Sequence, residues 1–116
     1  MTQPPSERRG HRRVRVPDLS SPFGEVVDLS LSGMKVFRKG GNPPAIGDRL
    51  EATLEHGLGS VAVTAEVVWV EDVGLRRRLI GCRFVDPTAE QEATLGRLIG
   101  VGHDEVKGPA VYVERD

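Results

Sequence analysis

The chemistry of this chain is concentrated in one run of arginines near its start. Residues 7–16, ERRGHRRVRV, contain five arginines and one histidine. Arg9 and Arg13 form an R-x-x-x-R pattern, and their Cα atoms lie roughly 13 Å apart if the segment is extended. A planar guanidinium pairs bidentately with phosphate or with the O6/N7 edge of guanine. The run therefore predicts binding of a compact anion, although a solvated basic tail that binds nothing in particular would have the same composition.

A second polar pattern, DLSLSG at residues 28–33, follows a run that is typical of a β-strand. Strand alternation places Asp28 and Ser30 on one face, opposite Leu29. A carboxylate beside a hydroxyl can accept the N1–H and N2–H donors of a guanine edge. Gly33 permits a close approach to the backbone or a positive φ. Taken alone, the pattern also fits an ordinary hairpin turn, because Asp and Ser favour turns.

No pattern in the chain is typical of an enzyme or of a metal site. The three histidines, His11, His56 and His103, are far apart in sequence and lack metal-ligand spacing. Cys82 is the only cysteine, and it lies on the apolar face of a predicted strand, where a buried structural thiol is expected. No glycine-rich phosphate loop joins a strand to a helix. We therefore expect no enzymatic activity, no metal and no cofactor.

The composition predicts one soluble, cytoplasmic domain. Apolar residues make up 38% and charged residues 28% of the 116 positions, as in ordinary folded proteins. A single cysteine fits a reducing compartment. No apolar run is long enough to insert into a membrane, and the N-terminus lacks the apolar core of a signal peptide. Residues 1–16 carry a net charge of +4 but the whole chain carries −1, which argues against a protein that coats nucleic acid.

The elements that must position these residues are predominantly β-strands. Apolar and polar residues alternate with period two over most of the chain. This alternation predicts strands at residues 13–16, 48–56, 60–72 and 76–85, and two further strand-like segments, 24–29 and 34–38, bring the number to six. In the fifth strand it places Trp69 on the same face as Val61, Val63, Ala65 and Val67. Short strands joined by hairpin turns predict an antiparallel sheet or a small barrel.

One helix is predicted within residues 86–100, DPTAEQEATLGRLIG. Thr88 and Gln91 form a capping box, and Gly100 is a candidate C-cap. An apolar face follows, made of Leu95, Leu98 and Ile99. We expect this helix to plug or flank an open end of the sheet.

The order of the two polar patterns resembles the PilZ domain family, whose members are bacterial receptors for the second messenger cyclic di-GMP. An R-x-x-x-R segment is followed after about fifteen residues by D-x-S-x-x-G on a predicted hairpin. The segments GDRLEATL, AEVVWV and IGCRF resemble later strands of the family, so the likeness covers about residues 7–100. It implies an all-β fold: a six-stranded antiparallel β-barrel with one C-terminal α-helix.

The resemblance also implies roles for particular residues. Arg9 and Arg13 match the motif arginines that contact phosphate and guanine, with Arg8 as an adjacent helper. Asp28 and Ser30 would hydrogen-bond guanine, and Gly33 would keep the backbone of the site open. Trp69 would either stack on a guanine or lie in the core or at the rim of the barrel. The 8/12 pair also has R-x-x-x-R spacing, but Arg13 directly precedes the apolar strand, which favours the 9/13 pair.

The domain organisation that follows is a tail at 1–7, a PilZ domain at 8–100 and a C-terminal tail at 101–116 that could add a short strand. The implied function is a receptor or adaptor whose arginine segment closes over cyclic di-GMP and which signals to a protein partner in motility, biofilm or polysaccharide control. Two alternatives stay open. One is a PilZ-fold interaction module that binds no nucleotide, and the other is a small barrel with a basic arm for nucleic acid.

Overall fold

The computed structural model describes residues 12–102, and within this range the chain forms a closed antiparallel barrel of six strands with one helix. The strands are β1 (Ser20–Ser21), β2 (Gly24–Leu29), β3 (Gly33–Lys39), β4 (Arg49–His56), β5 (Gly59–Gly74) and β6 (Arg77–Phe84), and the helix is α1 (Ala89–Gly100). Around the barrel the strand order is β1-β2-β3-β6-β5-β4. The predicted fold class is confirmed.

The first strand differs from the prediction. Instead of a strand over 13–16, Val14 makes an isolated bridge to Leu29, and the first ladder strand is the two-residue β1. The alternation was nevertheless meaningful, since Val14 and Val16 are buried. The ladder is interrupted because Pro17 has no N–H to donate and Asp18 adopts a φ of 65°, and pairing with β2 resumes at Leu19, whose carbonyl accepts from the Val26 amide at 3.1 Å.

The core consists of the inward-facing residues of the strands, closed at one end by α1. Leu54, Val63 and Ile80 are almost fully buried in it, and Leu95 and Leu98 of the helix belong to the same cluster. Burying side chains of this size stabilises the fold by about 1.5–3 kcal/mol each. The predicted apolar face of the helix therefore packs on the barrel core.

The helix begins as predicted and ends one residue later. Thr88 Oγ1 accepts from the Gln91 amide at 3.0 Å, and Gln91 Oε1 accepts from the Thr88 amide at 2.8 Å, so the capping box is present. The C-cap is Val101 instead of Gly100. Val101 has a φ of −99°, and the amides of Val101 and Gly102 donate to Leu98 and Ile99. This ending needs no left-handed residue, so the predicted glycine cap is wrong.

A β-bulge in β5 moves Trp69 to the outside of the barrel. Val67 pairs with Cys82 and Trp69 pairs with Gly81, which leaves Val68 as an extra residue in β5. Because side-chain direction alternates along a strand, one extra residue reverses the face of those that follow. The prediction that Trp69 shares the face of Val67 is therefore wrong.

The described residues contain α1 as their only helix, and it is neither long nor apolar enough to cross a membrane.

Candidate functional site

A pocket of about 410 Å³ opens on the outer face of the barrel, where the β2–β3 turn meets β6 and the bulged part of β5. Its size falls within the range of small-molecule sites. The predicted site residues that the structure describes all line it: Arg13, Asp28, Ser30 and Gly33 from the two motifs, and Trp69. Their roles toward a ligand stay predictions, but the fold brings them together.

The polar centre of the pocket is a buried carboxylate held by two cations, which we name the Asp28 cluster (Arg13, Asp28 and Lys35). Arg13 Nη2 donates to Asp28 Oδ1 at 3.1 Å and to Oδ2 at 2.9 Å. Lys35 Nζ lies 3.5 Å from Asp28 Oδ2. The side chains of Asp28 and Lys35 are only 2% and 8% exposed, whereas that of Arg13 is 43% exposed. Buried charges require such pairing, and the cluster carries a formal charge of +1.

Lys35 is a residue that the sequence analysis missed. It faces Asp28 across the β2–β3 ladder because a bulge between Val26 and Asp28 shifts the register there. Lys35 is thus a second, buried cation against the carboxylate, and it lies nearest to Oδ2, which Arg13 also contacts. A lysine within a strand gives no local signal of such a role.

Ser30 and Gly33 shape the turn that forms one wall. Ser30 Oγ accepts hydrogen bonds from the amides of Ser32 at 3.1 Å and Gly33 at 3.2 Å. A Cβ at Gly33 would collide with the carbonyl oxygen of Cys82, so the glycine lets β3 and β6 approach each other. The hairpin-turn interpretation of D-x-S-x-x-G is therefore correct, and the same turn lines the pocket.

Trp69 forms an aromatic wall of the pocket. Its indole lies directly against Gly81, where any Cβ would collide with the ring. Trp69 is 36% exposed as a residue and lines the pocket, so it is not enclosed in the core. Gly81 thus makes room for an aromatic surface beside the Asp28 cluster.

Beside the pocket lies a second carboxylate shared by two cations, which we name the Glu66 cluster (Arg49, Glu66 and Arg83). Arg83 Nη2 donates to Glu66 Oε1 at 2.7 Å, and Arg49 Nε lies 3.4 Å from the same oxygen. Only Arg83 of the three lines the pocket. The alternation of β6 already put Arg83 on the outer face, but its nearness to the D-x-S-x-x-G turn depends on its pairing with Gly33.

The R-x-x-x-R segment is described only in part. Arg12 is exposed and does not line the pocket, in contrast to Arg13. Arg8, Arg9 and His11 lie outside the described residues, as do the predicted tail 1–7 and most of the tail 101–116.

Cys82 is buried between the core and the pocket floor. Burial raises the pKa of its thiol to about 11, so the thiol is protonated at neutral pH. A protonated, buried thiol is a poor nucleophile. Within residues 12–102, no group of three or more His, Cys, Asp and Glu residues is arranged to hold a metal ion.

Comparisons with known proteins agree with this architecture. The family model described as PilZ domain matches residues 7–100. The fold is similar to the PilZ domain of YcgR from Escherichia coli, solved with c-di-GMP, at 18% identity and a TM-score of 0.68 over 80% of this chain and 89% of that one. It is also similar to YcgR from Escherichia coli in complex with c-di-GMP, at 19% identity and a TM-score of 0.67 over 80% of this chain but only 45% of that one. No curated protein matches the chain.

Proposed function

The chain belongs to the PilZ domain family, and on that premise we propose that it is a receptor for cyclic di-GMP. The observation that carries the proposal is the single pocket shared by Arg13, Asp28, Ser30, Gly33 and Trp69. These residues come from separate parts of the sequence. Together they offer cationic, hydrogen-bonding and aromatic groups, which match the phosphates and guanines of the ligand.

Arg13 is the residue that we assign to the anionic part of the ligand. Its guanidinium contacts Asp28 through Nη2 and is 43% exposed. A guanidinium has five N–H donors, so Arg13 can stay on Asp28 and still donate to a phosphate or to the guanine O6/N7 edge. Asp28 then orients Arg13, and it reaches guanine donors itself only if Arg13 shifts. Arg8 and Arg9 are proposed to act beside Arg13.

Trp69 is assigned to stacking on a guanine. Its ring lines the pocket next to the Asp28 cluster, and base–aromatic stacking contributes about 1–3 kcal/mol. Because Trp69 is the only tryptophan in the chain, its fluorescence can report occupancy of the pocket.

The proposed response is closure of the arginine segment over the pocket. Val14 exchanges two backbone hydrogen bonds with Leu29, of 3.0 and 2.9 Å, and its side chain is fully buried. Val14 therefore anchors the segment, and closure involves the residues that precede Arg13. We propose that the closed segment signals to a protein partner, and that the protein acts as an adaptor and not as an enzyme.

The proposal is tested by titration calorimetry with cyclic di-GMP, using cyclic di-AMP as the control ligand. Arg13→Ala should weaken binding by roughly 10- to 100-fold, the value of a charge-assisted hydrogen bond. Arg12→Ala is the matched control, because it removes the same charge from a neighbouring exposed residue that does not line the pocket.

The pattern of results also separates the remaining alternatives. Saturable binding of the guanine ligand alone, lost in Arg13→Ala and kept in Arg12→Ala, supports the receptor and the 9/13 register. Equal losses in the two variants would indicate nonspecific attraction by the basic segment. Absence of binding to the folded wild type would favour an interaction module that binds no nucleotide.

A further inference from the structure

We propose that Arg83 is a second anion-binding residue of the pocket, which contacts a phosphate of the ligand from the side opposite Arg13. This inference rests on the proposed function and adds a residue that neither polar motif contains. It is carried by the position of Arg83 in the sheet, by its exposure and by the way its charge is balanced.

The sheet register places the two clusters in adjacent rows on the outer face. One row crosses β2, β3, β6 and β5 through Asp28, Lys35, Gly81 and Trp69. The next row crosses β3, β6, β5 and β4 through Gly33, Arg83, Glu66 and Arg49. The rows are two residues apart along the strands, which corresponds to about 7 Å.

The glycine in each row makes room for a group from a neighbouring strand. Gly81 has no side chain and is covered by the Trp69 ring. Gly33 is the cross-strand neighbour of Arg83 on the turn side, so no side chain stands between Arg83 and the turn. Arg83 can therefore reach into the pocket over Gly33.

The balance of charge allows Arg83 to turn toward a ligand. Glu66 Oε1 is shared by Arg49 and Arg83, and the Glu66 side chain is only 22% exposed. If Arg83 moves, Arg49 still neutralises Glu66, so no acidic group is left without a cation. Arg83 is 50% exposed, and its contact with Glu66 engages one terminal nitrogen among five N–H donors.

The net charge of the two clusters matches the chemistry of a cyclic dinucleotide. Each cluster has one carboxylate and two bases, and hence a formal charge of +1. The ligand has two phosphodiester groups, each with one negative charge. One arginine of each cluster lines the pocket, Arg13 and Arg83, and the pair would give each phosphate a bidentate partner.

The test compares Arg83→Gln with Arg49→Gln in titrations of cyclic di-GMP, followed by calorimetry and by Trp69 fluorescence. Each variant removes one of the two cations that pair with Glu66, but only Arg83 lines the pocket. We expect Arg83→Gln to bind about tenfold more weakly than the wild type. Arg49→Gln should weaken binding by about threefold at most: Arg83 must then leave Glu66 without a second cation, but that carboxylate is partly exposed to solvent and no group that lines the pocket is lost. Urea unfolding of both variants checks that the barrel is intact.

The outcomes distinguish this inference from the proposed function. If the wild type binds and the two variants lose equal affinity, Arg83 acts only through Glu66 or through overall charge, and the inference is overturned while the receptor stands. If the wild type does not bind cyclic di-GMP, the proposed function fails and this inference fails with it.

Discussion

The Asp28 and Glu66 clusters have the same composition, one carboxylate between two bases, but the first is more deeply buried and the second is more exposed to solvent. Asp28 is 2% exposed and one of its bases, Lys35, is 8% exposed. Glu66 is 22% exposed, and Arg49 and Arg83 are 60% and 50% exposed. Breaking a buried pair costs several kcal/mol because a desolvated charge is left alone, whereas an exposed pair contributes about 1 kcal/mol or less.

The clusters also differ in what they join. Arg49, Glu66 and Arg83 are direct cross-strand neighbours, so the β4–β5 and β5–β6 ladders already hold them together. Arg13 belongs to a segment that pairs with the barrel through the isolated Val14–Leu29 bridge. The Asp28 cluster therefore attaches the arginine segment to the fold, whereas the Glu66 cluster is free to exchange partners.

The largest expected difference between the clusters is in stability. Asp28→Ala should lower the free energy of unfolding by about 3 kcal/mol or more, because Lys35 stays buried without its carboxylate. Glu66→Ala should lower it by about 1 kcal/mol or less. Urea denaturation followed by circular dichroism measures both. Equal losses in the two variants would show that burial does not separate the clusters.

Lys35→Met tests the buried pair, because its effect on the free energy of unfolding should have opposite signs with and without Asp28. In the wild-type background it should lower the free energy of unfolding by about 1–2 kcal/mol, because Asp28 keeps only Arg13. In the Asp28→Ala background the same change should raise the free energy of unfolding, since it removes an unpaired buried cation. A double-mutant cycle in urea measures the coupling. Additive effects would contradict a direct Asp28–Lys35 interaction.

Arg13→Ala should loosen the attachment of the arginine segment. The Val14 amide donates to Leu29 O at 3.0 Å, directly beside the lost contact. Its hydrogen exchange should accelerate about tenfold, which corresponds to the loss of one charge-assisted hydrogen bond. Arg12→Ala serves as the control and should leave this exchange rate unchanged. An unaltered rate in Arg13→Ala would mean that the Val14–Leu29 bridge alone holds the segment.

Salt should produce the smallest difference. Raising sodium chloride from about 0.05 M to about 0.5 M should reduce the Glu66–Arg83 coupling by less than about 0.5 kcal/mol, to near zero. The Asp28–Lys35 coupling should change little, because buried pairs are poorly screened. Double-mutant cycles at both salt concentrations measure the two couplings. A similar salt response would indicate that water reaches Asp28.

Much of the fold followed from local patterns in the sequence. The bounds of β2 agree with the strand predicted at 24–29, and the capping box of α1 has the predicted partners Thr88 and Gln91. The candidate site was predicted in part: Arg13, Asp28, Ser30 and Gly33 line the pocket. Their residue types and spacing are the signals that a motif contains.

The same patterns do not predict that Lys35 and Arg83 belong to the two charged clusters, or that Trp69 faces outward. Lys35 is buried because a bulge in β2 sets it opposite Asp28. Trp69 reaches the pocket because Val68 is an extra residue in β5. A bulge has no reliable local signature here, since VVWV alternates as well in a regular strand as in a bulged one.

The sequence by itself determined five of the six strands, where the helix begins and which motif residues lie near the β2–β3 turn. Those features depend on side chains within a few positions of each other, through alternation and capping. Only the tertiary structure decided which outer-face residues become neighbours. In the β3–β6 ladder, Gly33 pairs with Arg83 and Lys35 pairs with Gly81, although the partners are about fifty residues apart in the sequence. Strand register and β-bulges decide which residues are cross-strand neighbours, because a shift of one residue moves every following side chain to the other face of the sheet.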